Sequence, residues 1–251
     1  MLATVIVLSV LLVLLILFLI VLVNSQREKI EQAKKKGAEE FFEAILQGGF
    51  QKRVNDFKIY NQNAKEGGIV FVGDSLTENY NVYEYFKEYD VYNRGIGGDT
   101  TVGLLSRMEE SVYALKPKIV VLLIGINDFE LVENSTVDTI YENISAIVKE
   151  IKEHCPYTKI ILESLYPVYK KEASIIDVAS VMRKDNHKIR EVNEKIKNLK
   201  DVIYLDVNSK ISDSDGDIIL DYTMEGLHVN SKGYEYISEL IKGEIKNILG
   251  E

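Results

Sequence analysis

The chain has no tryptophan, one cysteine and three histidines. Cys155 has no partner for an internal disulfide, and one Cys with three His cannot supply the ligand cluster of a structural zinc. Positive charge is also in deficit. Thirty Lys and Arg against 39 Asp and Glu give a net charge of −9, which argues against a protein that holds nucleic acid through its phosphates. No internal repeat is present, and no low-complexity tract outside the first segment.

Apolar residues are plentiful, at 46% of 251 positions, enough for a packed core in one large domain or a domain with an appendage. The longest apolar run, Leu2 to Val23, carries no charge over 22 positions. At about 1.5 Å per residue it could cross a hydrocarbon core of about 30 Å. It lacks the basic start and small-residue cleavage site of a secretory signal, so residues 1–23 read as a transmembrane anchor and the protein as a single-pass membrane protein. Arg27, Lys29, Lys34, Lys35 and Lys36 follow, and the positive-inside rule leans the remainder toward the cytoplasmic face. Residues 24–66 read as a helical stalk. Phe41, Phe42, Ile45 and Leu46, then Phe50, Val54 and Phe57, recur at helical steps, with Gly48-Gly49 expected to break the stalk into two helices.

From 67 to 251 the pattern changes. Short apolar runs, "IVFV" (69–72), "VYN" (91–93), "IVVLLIG" (119–125), "KIILESL" (159–165) and "VIYLDV" (202–207), alternate with amphipathic helical segments. Apolar strands without strict alternation, separated by helices, predict a five-stranded doubly wound α/β domain with a parallel sheet covered on both faces. In such sheets reacting groups gather beyond the carboxyl ends of the strands.

That edge is rich in chemistry. "GDSLT" after the first run offers Ser75, either as a nucleophile or as a plain helix cap. "GIGGDTT" after the second offers backbone N–H groups at Gly95, Gly97 and Gly98, and "GIND" after the third offers the Asn127 amide. "EGLHVN" near the end places His228 in a loop, with Glu225 three residues before it. A neutral imidazole suits a serine's proton, a carboxylate can fix its tautomer, and the N–H groups of Ser75 and Gly98 with the Asn127 amide could hold an oxyanion. "GIGGDT" lacks the third glycine of a dinucleotide fingerprint, and "DSDGD" at 213–217 fails the calcium-loop pattern. His154 and His187 lie in charged helical surroundings and read as surface residues.

In this order "GDSLT", "GIGGDTT", "GIND" and "EGLHVN" resemble the four blocks of the GDSL or SGNH hydrolases, in particular the branch similar to the platelet-activating-factor acetylhydrolase catalytic subunits and bacterial thioesterase/lysophospholipase enzymes. The resemblance implies a three-layer, flavodoxin-like fold with strand order 2-1-3-4-5, and an acyl-ester substrate cleaved without metal or organic cofactor. It also implies Ser75 as nucleophile, Gly98 and Asn127 as oxyanion donors, and His228 as base. The family carries Asp where this chain has Glu225, so either Glu225 or the nearby Asp221 is the candidate partner of His228. The reading is a membrane-anchored serine esterase for acetyl or short acyl esters of a carbohydrate or lipid. The competing reading is an impaired glycan- or lipid-binding module of the same fold. The stretch "YKKEASIIDVASVMRK" after the fourth strand is expected to overhang the site and select the substrate.

Overall fold

Five short strands, β1 (Ile69–Gly73), β2 (Val91–Gly95), β3 (Ile119–Leu123), β4 (Lys159–Glu163) and β5 (Ile203–Leu205), form one parallel sheet in the order β2-β1-β3-β4-β5. The structure is a computed structural model that describes residues 2–251, leaving aside the side chains of Ala3, Val5, Val7, Val10, Val13 and Glu39. The strand order is the one the family resemblance implied.

Position in the sheet explains strand composition. The inner strands β1 and β3 are buried along their whole length, because helices cover both faces and leave no side for water. Edge strand β5 is only half-buried. Registry aligns the strand ends: Gly73 pairs with Gly95 on one side and with Leu123 on the other, so the loops leaving β1, β2 and β3 emerge side by side.

Three helices of the sheet domain begin at side-chain caps and bury a stripe at helical spacing. Val137–His154 starts at a capping box between Thr136 and Thr139 and buries Ile140, Ile144, Ile147, Val148 and Ile151. Asn186–Ile196, capped by Asp185, buries Ile189, Val192 and Ile196. Ser231–Leu249, capped by Asn230, buries Tyr234, Ile237, Ile241 and Ile245, and stops at Gly250, whose φ of +75° lies in the left-handed region. On that helix's face of the sheet, Tyr80 stacks on Tyr234 with ring centroids 4.5 Å apart and meets Phe71 edge-on at 5.8 Å.

The chain divides into two compact units, Met1–Gly48 and Gly49–Glu251. One helix, Leu2–Asn61, runs through the boundary. The expected break at Gly48-Gly49 does not occur; two glycines weaken a helix by about 1 kcal/mol each, too little to end one flanked by good helix formers. The transmembrane anchor expected over residues 1–23, and with it the membrane location and the cytoplasmic-facing domain, is corrected. Among the described residues, no helix is long and apolar enough to cross a membrane. The described part of the apolar run is one end of a 60-residue helix that continues through the charged segment containing Arg27 and Lys29.

Candidate active site

Gly73 ends β1 where side-chain room vanishes: a Cβ there would lie 2.0 Å from the Leu123 carbonyl oxygen. The chain turns at once. Asp74 caps the short helix Ser75–Glu78, its carboxylate accepting from the Leu76 N–H at 2.9 Å, and Ser75 takes the first helical position, partly exposed.

The loop before the C-terminal helix supplies the groups that meet Ser75. His228 Nε2 lies 2.9 Å from Ser75 Oγ, and its Nδ1 lies 2.6 Å from Glu225 Oε1. A carboxylate only accepts, so Nδ1 carries the proton and Nε2 is left to accept from the hydroxyl. Glu225 Oε1 also accepts the backbone N–H of His228 at 3.0 Å. Thr223 locks the turn, its hydroxyl donating to the His228 carbonyl at 2.9 Å while accepting from the Gly226 N–H at 2.8 Å. Gly226 has a φ of +105°, which only glycine adopts without strain. Of the two carboxylates left open by the sequence, Asp221 pairs with Lys232 in an exposed ion pair, and Glu225 is the one at the imidazole.

The glycine loop after β2 and the loop after β3 converge beside Ser75. Gly98 has a φ of +73°, and a Cβ on Gly97 would sit 4.0 Å from the Ser75 Cβ. Asn127 is buried, and its Nδ2 donates to the Asp99 carbonyl at 3.0 Å; the amide's second hydrogen is not used by that bond. Asp128 turns inward, accepting from the Thr101 N–H at 3.0 Å and from the Thr101 hydroxyl.

Beneath these loops lies a buried charge system that the sequence reading missed. Arg107, 1% exposed, donates to Asp99 Oδ2 at 2.8 Å, to the Gly73 carbonyl at 2.9 Å, to the Arg94 carbonyl at 2.8 Å and to Ser111 Oγ at 2.7 Å. One guanidinium thereby ties the ends of β1 and β2 to the loop that follows β2. Its signal was present. Leu104, Arg107, Met108 and Ser111 share the inward stripe of an amphipathic segment, where a cation has to find buried partners. Burial pushes Asp74 up to about 7, its Leu76 hydrogen bond opposing, and raises Asp99 and Asp128 as well. Two further residues, Glu78 and Arg53, also escaped the sequence reading. The Gly97 N–H donates to Glu78 Oε2 at 2.7 Å, and Arg53 Nε lies 2.9 Å from Glu78 Oε1.

The segment after β4 is pinned to the His228 loop. The Tyr169 N–H donates to the Gly226 carbonyl at 2.8 Å and the Asp177 N–H to the Glu225 carbonyl at 2.9 Å.

Comparison with known proteins gives one result at several levels. Residues 71–236 match the model of the GDSL-like Lipase/Acylhydrolase family. Platelet-activating factor acetylhydrolase IB subunit alpha2 of Homo sapiens is 31% identical over 193 residues, covering 74% of this chain and 80% of that protein. A solved structure from Streptococcus pneumoniae, described as a platelet activating factor, is 29% identical with a TM-score of 0.76, covering 82% of this chain and 97% of that one. An acylhydrolase structure from Bacteroides fragilis is 28% identical with a TM-score of 0.66, covering 76% and 94%. The chain therefore belongs to the GDSL-like lipase/acylhydrolase family and is a serine hydrolase of the ester-cleaving kind.

Proposed function

We propose that Ser75, His228 and Glu225 are the catalytic residues, and that the enzyme removes acetyl or other short acyl groups from esters of a carbohydrate or lipid through an acyl-enzyme. The observation that carries this reading is the continuous line Ser75 Oγ, His228, Glu225 at 2.9 Å and 2.6 Å. His228 Nε2 takes the Ser75 proton as Oγ bonds to the ester carbon. The resulting oxyanion is held by the N–H groups of Ser75 and Gly98 and by the Asn127 amide, and collapse passes the proton from His228 to the leaving alkoxide. Water then gives a proton to His228 as its oxygen bonds to the acyl carbon, and collapse breaks the bond to Ser75 Oγ, which takes that proton back from His228 as the acid leaves. Glu225 keeps the imidazole in the required tautomer and stabilises the imidazolium.

The name acetylhydrolase, borne by the curated relatives, supports a short acyl group. The reading as a binding module without turnover is not favoured, because Glu225 spans the distance to the imidazole that an aspartate would otherwise cover.

Ser75→Ala tests the assignment. The variant is expected to fold as the parent does and to lose hydrolysis of p-nitrophenyl acetate and labelling by a fluorophosphonate; retained turnover would show that another group attacks. Turnover across p-nitrophenyl esters from acetate to octanoate reads the acyl preference, and a rise toward the longer chains would overturn the short-acyl reading.

A further inference from the structure

The glycine loop "GIGG" is held at its start, where Gly95 ends β2 and the Ile96 N–H donates to the Gly73 carbonyl at 3.1 Å, but Gly97 and Gly98 have no side chains to fix them. Two successive glycines without outside contacts would explore many conformations. Oxyanion stabilisation depends on donors already fixed where the charge develops. Contacts from outside the loop have to fix that part of it.

Two side chains grip the loop from both sides of Ile96. On one side the Arg53 guanidinium donates to the Gly95 carbonyl at 3.2 Å. On the other, the Gly97 N–H donates to Glu78 Oε2 at 2.7 Å. The grips are joined, since Arg53 Nε lies 2.9 Å from Glu78 Oε1. Between them Ile96, 1% exposed, is buried against Val54 and Phe57 of the helix that carries Arg53. Glu78 closes the same short helix that Ser75 opens, three residues on and so on the same side of one turn. A Cβ on Gly97 would come within 2.9 Å of Glu78 Oε2. The clamp thus ties Gly97, the residue before Gly98, to the short helix that carries Ser75. Arg53 and Glu78 side chains are 27% and 32% accessible, so solvent screens part of their ion pair. Its effect is local.

We propose that Arg53 and Glu78 are positioning residues that hold the Gly98 N–H in its oxyanion-binding place, so that the helix preceding the family-matched residues 71–236 is part of the working enzyme. The inference rests on the proposed role of Gly98. A donor displaced by about 1 Å can lower turnover about a hundredfold.

The test uses the full chain, an activated acetyl ester, and thermal melting of every variant. Glu78→Ala is expected to lower kcat by about tenfold to a hundredfold with KM nearly unchanged. Glu78→Gln keeps an acceptor for the Gly97 N–H and should recover much of the loss. Arg53→Gln should fall between wild type and Glu78→Ala, and Arg53→Gln combined with Glu78→Ala should be no slower than Glu78→Ala alone. A kcat within twofold of wild type in Glu78→Ala, or a loss confined to KM, overturns the proposal. If Glu78→Ala does not fold, Arg53→Gln decides, and an unchanged kcat there overturns it equally. Ser75→Ala and Asn127→Ala measured alongside separate the two levels. If both are inactive or slow while Glu78→Ala is normal, the clamp alone fails; if Ser75→Ala turns over normally, the site reading itself fails.

Discussion

Glu225 has one methylene more than an aspartate, and the turn around it absorbs the difference. Its Oε1 bends back to receive both the backbone N–H and the ring Nδ1 of His228, while Gly226 adopts a φ of +105° that lets the chain double over. The carboxylate is thereby fixed by two donors, as an orienting group requires. Glu225→Gln keeps the size and removes the charge; by analogy with the aspartate-to-asparagine change in a serine protease triad, kcat should drop by up to about 10⁴-fold. Asp221→Asn should leave kcat unchanged, because Asp221 faces Lys232 at the surface. Steady-state kinetics on the pair of variants checks this, and the reverse ranking would move the orienting role to Asp221.

The elements that meet at the rim are held by one cation. Arg107 lies in the segment between β2 and β3, yet it bonds to the ends of both β1 and β2 and to Asp99 in the loop that follows β2. Desolvation disfavours a charge in such a place, and the paired carboxylate with three further acceptors offsets it. Removing one partner leaves the other charged and buried. Arg107→Ala should therefore destabilise folding by about 3 to 5 kcal/mol, read from urea denaturation midpoints. A change below about 1 kcal/mol, the size typical of an exposed pair, would mean the ion pair is not closed off from water as described.

For the molecule as a whole, the buried carboxyls set how stability responds to pH. Burial pushes Asp74 and Glu163 up to about 7; the Tyr166 hydroxyl, 2.5 Å from Glu163 Oε2, partly opposes this in Glu163. In the unfolded chain both ionise near about pH 4. Between those values the folded chain holds protons that the unfolded chain has released, so stability falls as pH rises from about 4 to about 7 and levels off above that. Glu163→Gln keeps an oxygen for Tyr166 and removes the titration. Its urea midpoint should fall less than the wild-type midpoint between pH 4.5 and 7, and an equal fall in both proteins would place the pH dependence elsewhere.

The linear chain was enough to determine the sheet and the rim. Apolar strands at helix-separated intervals dictate a covered parallel sheet, and residues such as Ser75, Asn127 and His228 stand next to the strand ends or helix starts that position them. Local patterns carried no information about long-range pairing. That Glu225 rather than Asp221 meets His228 depends on a turn closed by Thr223 and Gly226, and that Arg107, Glu78 and Arg53 serve the rim depends on contacts between segments up to 42 residues apart. Gly48-Gly49 likewise lies inside one continuous helix rather than at a break. Short-range spacing encodes which face a side chain takes, whereas the partner waiting on that face is created only when distant segments pack.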